Sequence, residues 1–156
     1  MTDATRTFWF YGDLVTIHVS GEETEGRFSL LEFLQPPDEW TPLHVHRRAD
    51  QTQYVLAGEL TVHLPGQTLV LGAGDCAYSP MNTPHTEHVT STEPVRLLVV
   101  NSPAGFEKFI VAAGKPAAES TLPPRDEAPD LERLAELAAA HDIDVLGPPG
   151  SLPSIR

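Results

Sequence analysis

The chain is poor in basic residues and in cysteine. Only two lysines, Lys108 and Lys115, occur among its 156 residues, and the formal net charge is −12. Because nucleic acids and anionic membranes are bound by clusters of Lys and Arg, this composition argues against both as partners. The single cysteine, Cys76, excludes a disulfide within the chain and fits a reducing compartment, so we expect a cytoplasmic protein.

Long hydrophobic runs are also missing. No apolar stretch approaches the ~20 residues that a membrane-spanning helix needs, and the N-terminus carries no basic segment followed by an apolar one. The chain has instead 15 prolines and 40% hydrophobic residues, which is typical of a globular domain with many turns. Its length is that of one domain with a proper core.

Short segments rich in β-branched and aromatic residues recur between turn signals over the first hundred residues. Their spacing of about 8–12 residues predicts an all-β protein whose strands form an antiparallel barrel or jelly roll. In chain order, the predicted strands cover residues 8–11, 14–19, 27–34, 52–56, 59–64, 67–71, 76–79, 85–90 and 94–101.

The pattern becomes helical after the last of these strands. A Ser-Pro pair at 102–103, followed by apolar residues at helical spacing up to Gly114, predicts a short helix. A linker rich in Pro and Ala follows, and Asp130 is expected to cap a second helix with an apolar stripe. We therefore expect a barrel with a short following helix over residues 1–114. Residues 115–156 would form a proline-rich linker, a helix and a tail, with the C-terminal helices packed outside the barrel.

Candidate metal ligands occur in two separate segments. His44 and His46 lie at positions i and i+2 of a predicted extended segment, so both imidazoles project from one face and can chelate one ion. Gln51, after a turn, and His85, after a Pro-Asn-Thr-Pro turn, can return to the same point. Three imidazoles and one oxygen donor suit one divalent transition metal, Zn, Fe, Ni or Cu, with room left for water or substrate.

The first of these segments resembles the first motif of the cupin superfamily. His44, His46 and Gly58 stand at the motif's spacing, its opening glycine is absent, and Gln51 replaces its glutamate. A neutral amide at that position leaves the charge of a metal ion uncompensated. We expect weaker binding of hard metals, but a stronger Lewis acid and a lower pKa of a metal-bound water.

The second segment resembles the second cupin motif. Gly74, Pro80 and His85 fit its spacing, and Asn82, one of the few residues that tolerate positive φ, replaces a glycine. The match covers roughly residues 25–101. It implies the cupin double-stranded β-helix, a jelly-roll barrel. The chain as a whole is similar to single-domain bacterial cupins of the quercetin-dioxygenase-like and polyketide-cyclase-like kinds.

Three further residues are expected near the metal site. If His85 points into the barrel, strand alternation puts Glu87 on the same inward face, where a buried carboxylate is a candidate general base. The alternative is an offset of one residue, which leaves Glu87 in solvent. Gln53 and Tyr78 are the expected hydrogen-bonding residues for a substrate.

Three classes of function remain open. The resemblance implies a metal-dependent dioxygenase of the quercetinase kind, acting on a small organic substrate of aromatic or polyphenolic type. A non-redox cyclase or isomerase of the polyketide type suits a neutral ligand set with an extra glutamate at least as well. The third class is a non-catalytic cupin that binds a small ligand. A homodimer is expected, because barrel edges of this class are often covered by a second copy.

Overall fold

A computed structural model describes residues 6–126 and 128–155, which contain twelve strands and two helices. The strands are β1 (Thr7–Phe10), β2 (Asp13–Val19), β3 (Ser29–Gln35), β4 (Leu43–His46), β5 (Asp50–Ala57), β6 (Leu60–Leu64), β7 (Gln67–Leu71), β8 (Cys76–Ser79), β9 (Thr86–Val89), β10 (Val95–Ser102), β11 (Lys115–Pro116) and β12 (Ile143–Gly147). The helices are α1 (Phe106–Ala113) and α2 (Leu131–Ala139). Neither described helix has the length and apolar character that crossing a membrane would require.

The strands form two antiparallel layers. One layer is a seven-stranded sheet in the order β11-β1-β2-β3-β10-β5-β8. The other consists of the sheet β7-β6-β9 and the pair β12-β4, which are joined by isolated bridges between His44 and His85 and between Trp40 and His88. Buried side chains from β2, β3, β5, β6 and β10 belong to one core cluster, so the layers face each other. The predicted all-β jelly-roll barrel is confirmed.

The central strands alternate buried and partly exposed side chains, as expected for a sheet with one face on a core. In β3, Leu31 and Phe33 are buried, and in its neighbour β10, Val95, Leu97 and Val99 are buried. Burying each such side chain contributes about 1.5–3 kcal/mol. The contact of β3 and β10 with the opposite layer therefore stabilises the barrel that surrounds the site.

The register of β10 with its two neighbours determines what lines the barrel interior at each level. Asn101, near one end of β10, lies opposite Gln51 of β5. Val95, at the other end, lies opposite Gln35 of β3. Polar side chains therefore occur at both ends of this inner face. The inward residues of β10 between them are apolar, namely Leu97 and Val99.

Helix α1 begins later than the Ser-Pro pair predicts. Strand β10 continues to Ser102, which pairs with Asp50 of β5, and the Ser102 hydroxyl donates to a loop carbonyl oxygen at 3.0 Å instead of capping a helix. The helix begins at Phe106, after Gly105, whose N–H donates to Glu107 Oε1 at 2.7 Å. The predicted start is wrong because pairing with β5 extends the strand past the cap signal.

The C-terminal segment packs against the barrel. Asp130 caps α2 as predicted and accepts a hydrogen bond from the Arg133 N–H at 3.0 Å. Leu134 and Ala138 of α2 are buried in a cluster that includes Phe109 of α1, and β12 pairs with β4. The segment is thus a direct neighbour of the strand that carries the paired histidines. The domain boundary expected after α1 stays a prediction.

The turn at Gly58 depends directly on glycine. Its φ is +83°, and an added Cβ would lie 2.8 Å from the Pro94 carbonyl oxygen and 2.9 Å from Val95 Cα. Gly74 has a similar φ of +93° but open space where its Cβ would be. Comparing the same substitution at the two glycines therefore separates the cost of a left-handed backbone from the cost of a steric clash.

We expect Gly58→Ala to lower the free energy of unfolding by clearly more than Gly74→Ala does. Gly74→Ala should lose only the roughly 1–2 kcal/mol that the left-handed conformation costs a residue with a Cβ, whereas Gly58→Ala adds a clash with backbone atoms that cannot move aside. Urea denaturation of both variants measures the difference. Equal losses would contradict the steric explanation.

Candidate metal centre

Three histidines from two segments meet inside the barrel. His44 and His46 belong to β4, and His85 stands just before β9. The His44 N–H donates to the His85 carbonyl oxygen at 3.1 Å, and the His85 N–H donates back at 2.9 Å. One ligating nitrogen from each of the three rings lies within 4.8 Å of the other two. The predicted meeting of the three imidazoles is confirmed.

The Nδ1 atoms of two of these rings are bound to the backbone. His44 Nδ1–H donates to the Pro42 carbonyl oxygen at 2.7 Å, and His85 Nδ1–H donates to the Thr83 carbonyl oxygen at 3.0 Å. Since a carbonyl oxygen only accepts, Nδ1 carries the hydrogen in both rings, and Nε2 is the nitrogen that can ligate a metal ion. Hydrogen bonds of this kind are typical of metal-ligating histidines, whose tautomer and orientation they determine.

The ring of His46 has a nitrogen without a partner. Its Nε2 is buried, and no hydrogen-bond partner reaches it within the described ranges. Leaving a buried polar atom unsatisfied costs about 1–3 kcal/mol. A metal ion bound among the three rings would remove that cost.

Burial keeps the imidazoles of His44 and His46 neutral. It lowers the pKa of His44 to about 4, with repulsion from His85 as the second cause. Burial also holds the pKa of His46 well below its usual range, and His44 and His85 add to the effect. Both rings are therefore neutral at pH 7, and neutral imidazole is the form that binds a metal ion.

Gln51 lies beside the histidines but presents its amide nitrogen to them. Gln51 Nε2 is 3.3 Å from His85 Nε2, and Gln51 Oε1 accepts a hydrogen bond from Asn101 Nδ2 at 3.2 Å. Asn101 Oδ1 is buried and has no partner among the described residues. A concerted half-turn of both amides would satisfy that oxygen and turn Gln51 Oε1 toward the histidines. Gln51 as a ligand stays a prediction.

The donors fit a divalent transition metal. Neutral imidazole nitrogens suit Zn, Fe, Ni or Cu, whereas Mg and Ca prefer sites made of oxygen. The buried, unpartnered Nε2 of His46 is an available donor at this point. The residues that would hold the metal are His44, His46 and His85.

Glu87 lies inside the barrel, beside the cluster. It is 4% exposed, and its Oε1 is 3.6 Å from His85 Nε2. Gln53 Nε2 donates to Oε1 at 2.6 Å, and Thr41 Oγ1 donates to Oε2 at 2.8 Å. Burial alone would raise the pKa of Glu87, but His85, His44 and the two hydrogen bonds outweigh it, so the pKa lies below its usual value. The inward orientation expected from strand alternation is confirmed.

A cavity of about 100 Å³ lies beside these groups. Polar parts of its wall come from His44, Gln51, Gln53 and Glu87, and most of the remainder is apolar. Helix α1 contributes Phe106 and Phe109, and α2 and β12 contribute Leu134, Ala138, Ile143 and Val145. The C-terminal segment thus forms part of the wall of the candidate site.

Tyr78 does not reach this cavity. It is 54% exposed and is not one of the lining residues. Strand β8 turns Ala77 and Ser79 inward, so the residue between them points to solvent. The expectation that Tyr78 binds a substrate inside the barrel is corrected, whereas Gln53 does line the cavity.

Asp13 and Gln35 also line the cavity, although neither belongs to a motif. The Gly12-Asp13 pair is a turn signal in the sequence. The residues of that turn that have positive φ, however, are Tyr11, at 46°, and Gly12, at 94°. Asp13 is instead the first residue of β2 and is buried. The available signal was strand alternation, because Asp13 lies two residues before Val15 and shares its inward face.

We expect His44→Ala to abolish metal loading, because the remaining two imidazoles no longer enclose a three-ligand site. The matched control is His18→Ala, which removes a partly exposed ring that binds Glu32 at 2.9 Å on the outer surface. Elemental analysis of both variants after loading with Zn²⁺ and dialysis measures the metal content. Full metal occupancy in His44→Ala would contradict the proposed metal centre.

Comparison with known proteins agrees with this geometry. Residues 31–101 match the family model described as Cupin domain. Quercetin 2,3-dioxygenase of Bacillus subtilis (strain 168) is 30% identical over 129 residues, which is 81% of this chain. The chain spans only 37% of the length of that relative.

Solved structures of similar fold include KdgF from Halomonas sp., with a TM-score of 0.55 and 22% identity over 62% of this chain and 84% of that one. The polyketide cyclase RemF from Streptomyces resistomycificus has a TM-score of 0.52 and 28% identity over 60% of this chain and 66% of that one. All three histidines of the cluster lie within the part of the chain that matches the family model. The jelly-roll barrel, the two histidine segments and the family match agree, and residues 31–101 of this chain form a cupin domain.

Proposed function

We propose that this chain is a metal-dependent enzyme that acts on a small, hydroxyl-bearing ring compound, with dioxygenase chemistry of the quercetinase kind. The observation that carries the proposal is the buried carboxylate of Glu87, 3.6 Å from His85 Nε2 and on the wall of a mostly apolar cavity. A carboxylate so placed suits a general base for a bound organic molecule. The 30% identity with quercetin 2,3-dioxygenase supports O2 as the co-substrate.

Glu87 takes the proton of a substrate hydroxyl in this proposal. Thr41 and Gln53 already hold its two oxygens, at 2.8 Å and 2.6 Å, so the carboxylate needs little reorganisation when the substrate binds. A bound divalent metal would supply a Lewis acid that stabilises the oxyanion formed. Gln53 Oε1, which is buried and has no partner in the described chain, accepts a hydrogen bond from a second hydroxyl.

The size of the cavity limits the substrate. Pockets that enclose drug-sized ligands measure about 300–1,000 Å³, and an apolar cavity of about 150 Å³ binds benzene. The cavity measures about 100 Å³. We therefore propose a substrate of no more than one ring, since a flavonol, with three rings, would require the wall formed by α1 and α2 to move.

A second candidate is a non-redox cyclase or isomerase, which the neutral side chain at position 51 favours. Gln51 adds no negative charge beside the histidines, and this makes a bound metal a stronger Lewis acid toward a carbonyl oxygen. Glu87 would then remove a proton from the carbon next to that carbonyl. The 28% identity with the polyketide cyclase RemF supports this alternative.

A homodimer is part of the proposal. Apolar side chains on the outer faces of β5 and β8 are exposed, with Tyr54 at 43%, Leu56 at 38% and Tyr78 at 54%. A second copy packed on this face would remove them from water. The cytoplasmic location stays a prediction.

We expect Gln51→Glu to retain the metal and to bind Zn²⁺ about tenfold more tightly or better, because the substitution adds a charged ligand oxygen of nearly the same shape. Competition with a chelator of known affinity measures the dissociation constant. Gln67→Glu, which adds the same charge at an exposed position of β7, should leave it unchanged. An affinity of Gln51→Glu equal to wild type would show that residue 51 is not a ligand.

We expect Glu87→Gln to keep its metal but to lose about 10²–10⁴-fold in kcat, the usual contribution of a positioned base. The assay is oxygen uptake with 3-hydroxypyran-4-one, which keeps the enol and carbonyl of a flavonol on one ring, and quercetin serves as the large comparison. Turnover of quercetin alone would contradict the size limit. An undiminished kcat in Glu87→Gln would show that Glu87 is not the general base.

The two candidate reactions differ in their need for oxygen. Exchange of carbon-bound substrate protons for deuterium in D2O under nitrogen, with no oxygen uptake in air, would favour the isomerase over the dioxygenase. Absence of both reactions in metal-loaded protein that still binds the one-ring compound would favour a non-catalytic binding protein.

A further inference from the structure

A second polar group lies on the cavity wall, on strands that carry no metal ligand. Asp13 of β2 and Gln35 of β3 are 4% and 6% exposed and both line the cavity. Gln35 Nε2 donates to Asp13 Oδ2 at 3.2 Å. No donor reaches Asp13 Oδ1 within residues 6–126 and 128–155. The carboxyl group of Asp13 therefore has an oxygen that is free to contact a ligand.

Asp13 also contacts another carboxyl group, that of Glu39, through a hydrogen bond. Two carboxyl groups form a hydrogen bond only if one of them carries a proton. Burial raises the pKa of Asp13 well above its usual range, and the neighbouring Glu39 and Glu87 raise it further, against the hydrogen bond from Gln35. Burial also raises the pKa of Glu39, but its bond from Asp13 and the charge of Arg125 oppose the rise. The shared proton therefore resides on Asp13.

The absence of a side chain at Gly12 leaves room for this carboxyl pair. A Cβ at Gly12 would lie 2.9 Å from Glu39 Oε2, and the residue has a φ of +94°. Any larger residue would both strain the turn and push against the Glu39 carboxyl. The turn between β1 and β2 thus allows Glu39 to approach Asp13 from outside the cavity wall.

The two polar groups of the cavity lie at different levels of the barrel. Gln53, which binds Glu87, lies opposite Val99 of β10, whereas Gln35, which binds Asp13, lies opposite Val95. Four residues of strand correspond to about 13 Å between the backbone levels. The polar ends of the inward side chains can lie closer together than the backbone levels do. The pair at the level between them, Leu97 and Phe33, is apolar and lines the cavity.

An unpartnered group at the other level points independently to a ligand. Gln53 Oε1 is buried on the same wall, and no donor within the described ranges reaches it. A ligand hydroxyl is the simplest group that would satisfy it. The cavity therefore presents unsatisfied oxygens at two levels with an apolar belt between them.

We propose that Asp13, supported by Gln35 and Glu39, is a second substrate subsite, which binds a hydroxyl group on the side of the ring remote from the histidines. The inference rests on the proposed function and names its substrate class. The substrate is a single apolar ring with an uncharged oxygen on each of two opposite sides. The O–H of Asp13 is engaged with Glu39, so the unpartnered Oδ1 of Asp13 accepts the hydrogen bond of the remote hydroxyl, and the negative charge of Glu39 rejects a carboxylate there.

Binding of two matched one-ring probes tests the subsite in Zn²⁺-loaded protein under nitrogen. Hydroquinone has an oxygen on both sides of its ring, and phenol has one. We expect wild type to bind hydroquinone roughly tenfold more tightly than phenol, the contribution of about one buried hydrogen bond. Asp13→Leu should lose this preference with its zinc content unchanged, and Asp13→Asn, which keeps a neutral acceptor oxygen, should retain most of it. Calorimetric titration gives each dissociation constant.

A second measurement requires neither substrate nor turnover. Infrared spectroscopy at pH 7 should show the carbonyl stretch of a protonated carboxylic acid in wild type, and that band should be absent in Asp13→Asn. A wild type without the band would overturn the inference whatever the enzyme does. Preference for hydroquinone in Asp13→Leu, or tighter binding of 4-hydroxybenzoate than of hydroquinone, would also overturn it. None of these results would contradict the metal centre or the role of Glu87. Failure of the proposed function would instead appear as absence of bound metal or absence of turnover.

Discussion

The candidate site depends on one pair of backbone hydrogen bonds, those that join His44 and His85 across the gap between the two histidine segments. These bonds set the register of β4 against the approach to β9. Because a slip of one residue turns every side chain of a strand to the other face, this register decides whether the imidazoles face one another. It also decides that Glu87, two residues after His85, shares the interior with them.

Burying so many polar groups in one barrel is stable only because they bind one another. Thr41 and Gln53 hold Glu87, Gln35 and Glu39 hold Asp13, and backbone carbonyl oxygens hold two of the histidine rings. The unsatisfied atoms that line or adjoin the cavity are then informative. His46 Nε2, Gln53 Oε1 and Asp13 Oδ1 are buried atoms that a metal ion and a hydroxylated ring would satisfy.

The parts of the chain outside the family match give the cavity its shape. Residues 31–101 supply the histidines and Glu87, whereas Phe106, Phe109 and the inner residues of α2 and β12 close the wall beside them. Asp13 is contributed by β2, before the match begins. A cupin barrel can hold many chemistries. In the proposed function, the size and polarity of the substrate are therefore set by elements that lie outside the family match.

Local sequence determined the elements that obey local rules. The His-x-His spacing, the alternation that turned Glu87 inward and the cap at Asp130 follow from neighbouring residues, and the structure has all three. Tertiary structure alone decided the rest. Pairing with Asp50 carried β10 past the helix signal at Ser102, and strand β8 put Tyr78 in solvent. The meeting of Asp13 with Glu39 joins residues from different segments, and no pattern within either segment specifies such a contact, because the burial that raises the pKa of Asp13 exists only in the closed barrel.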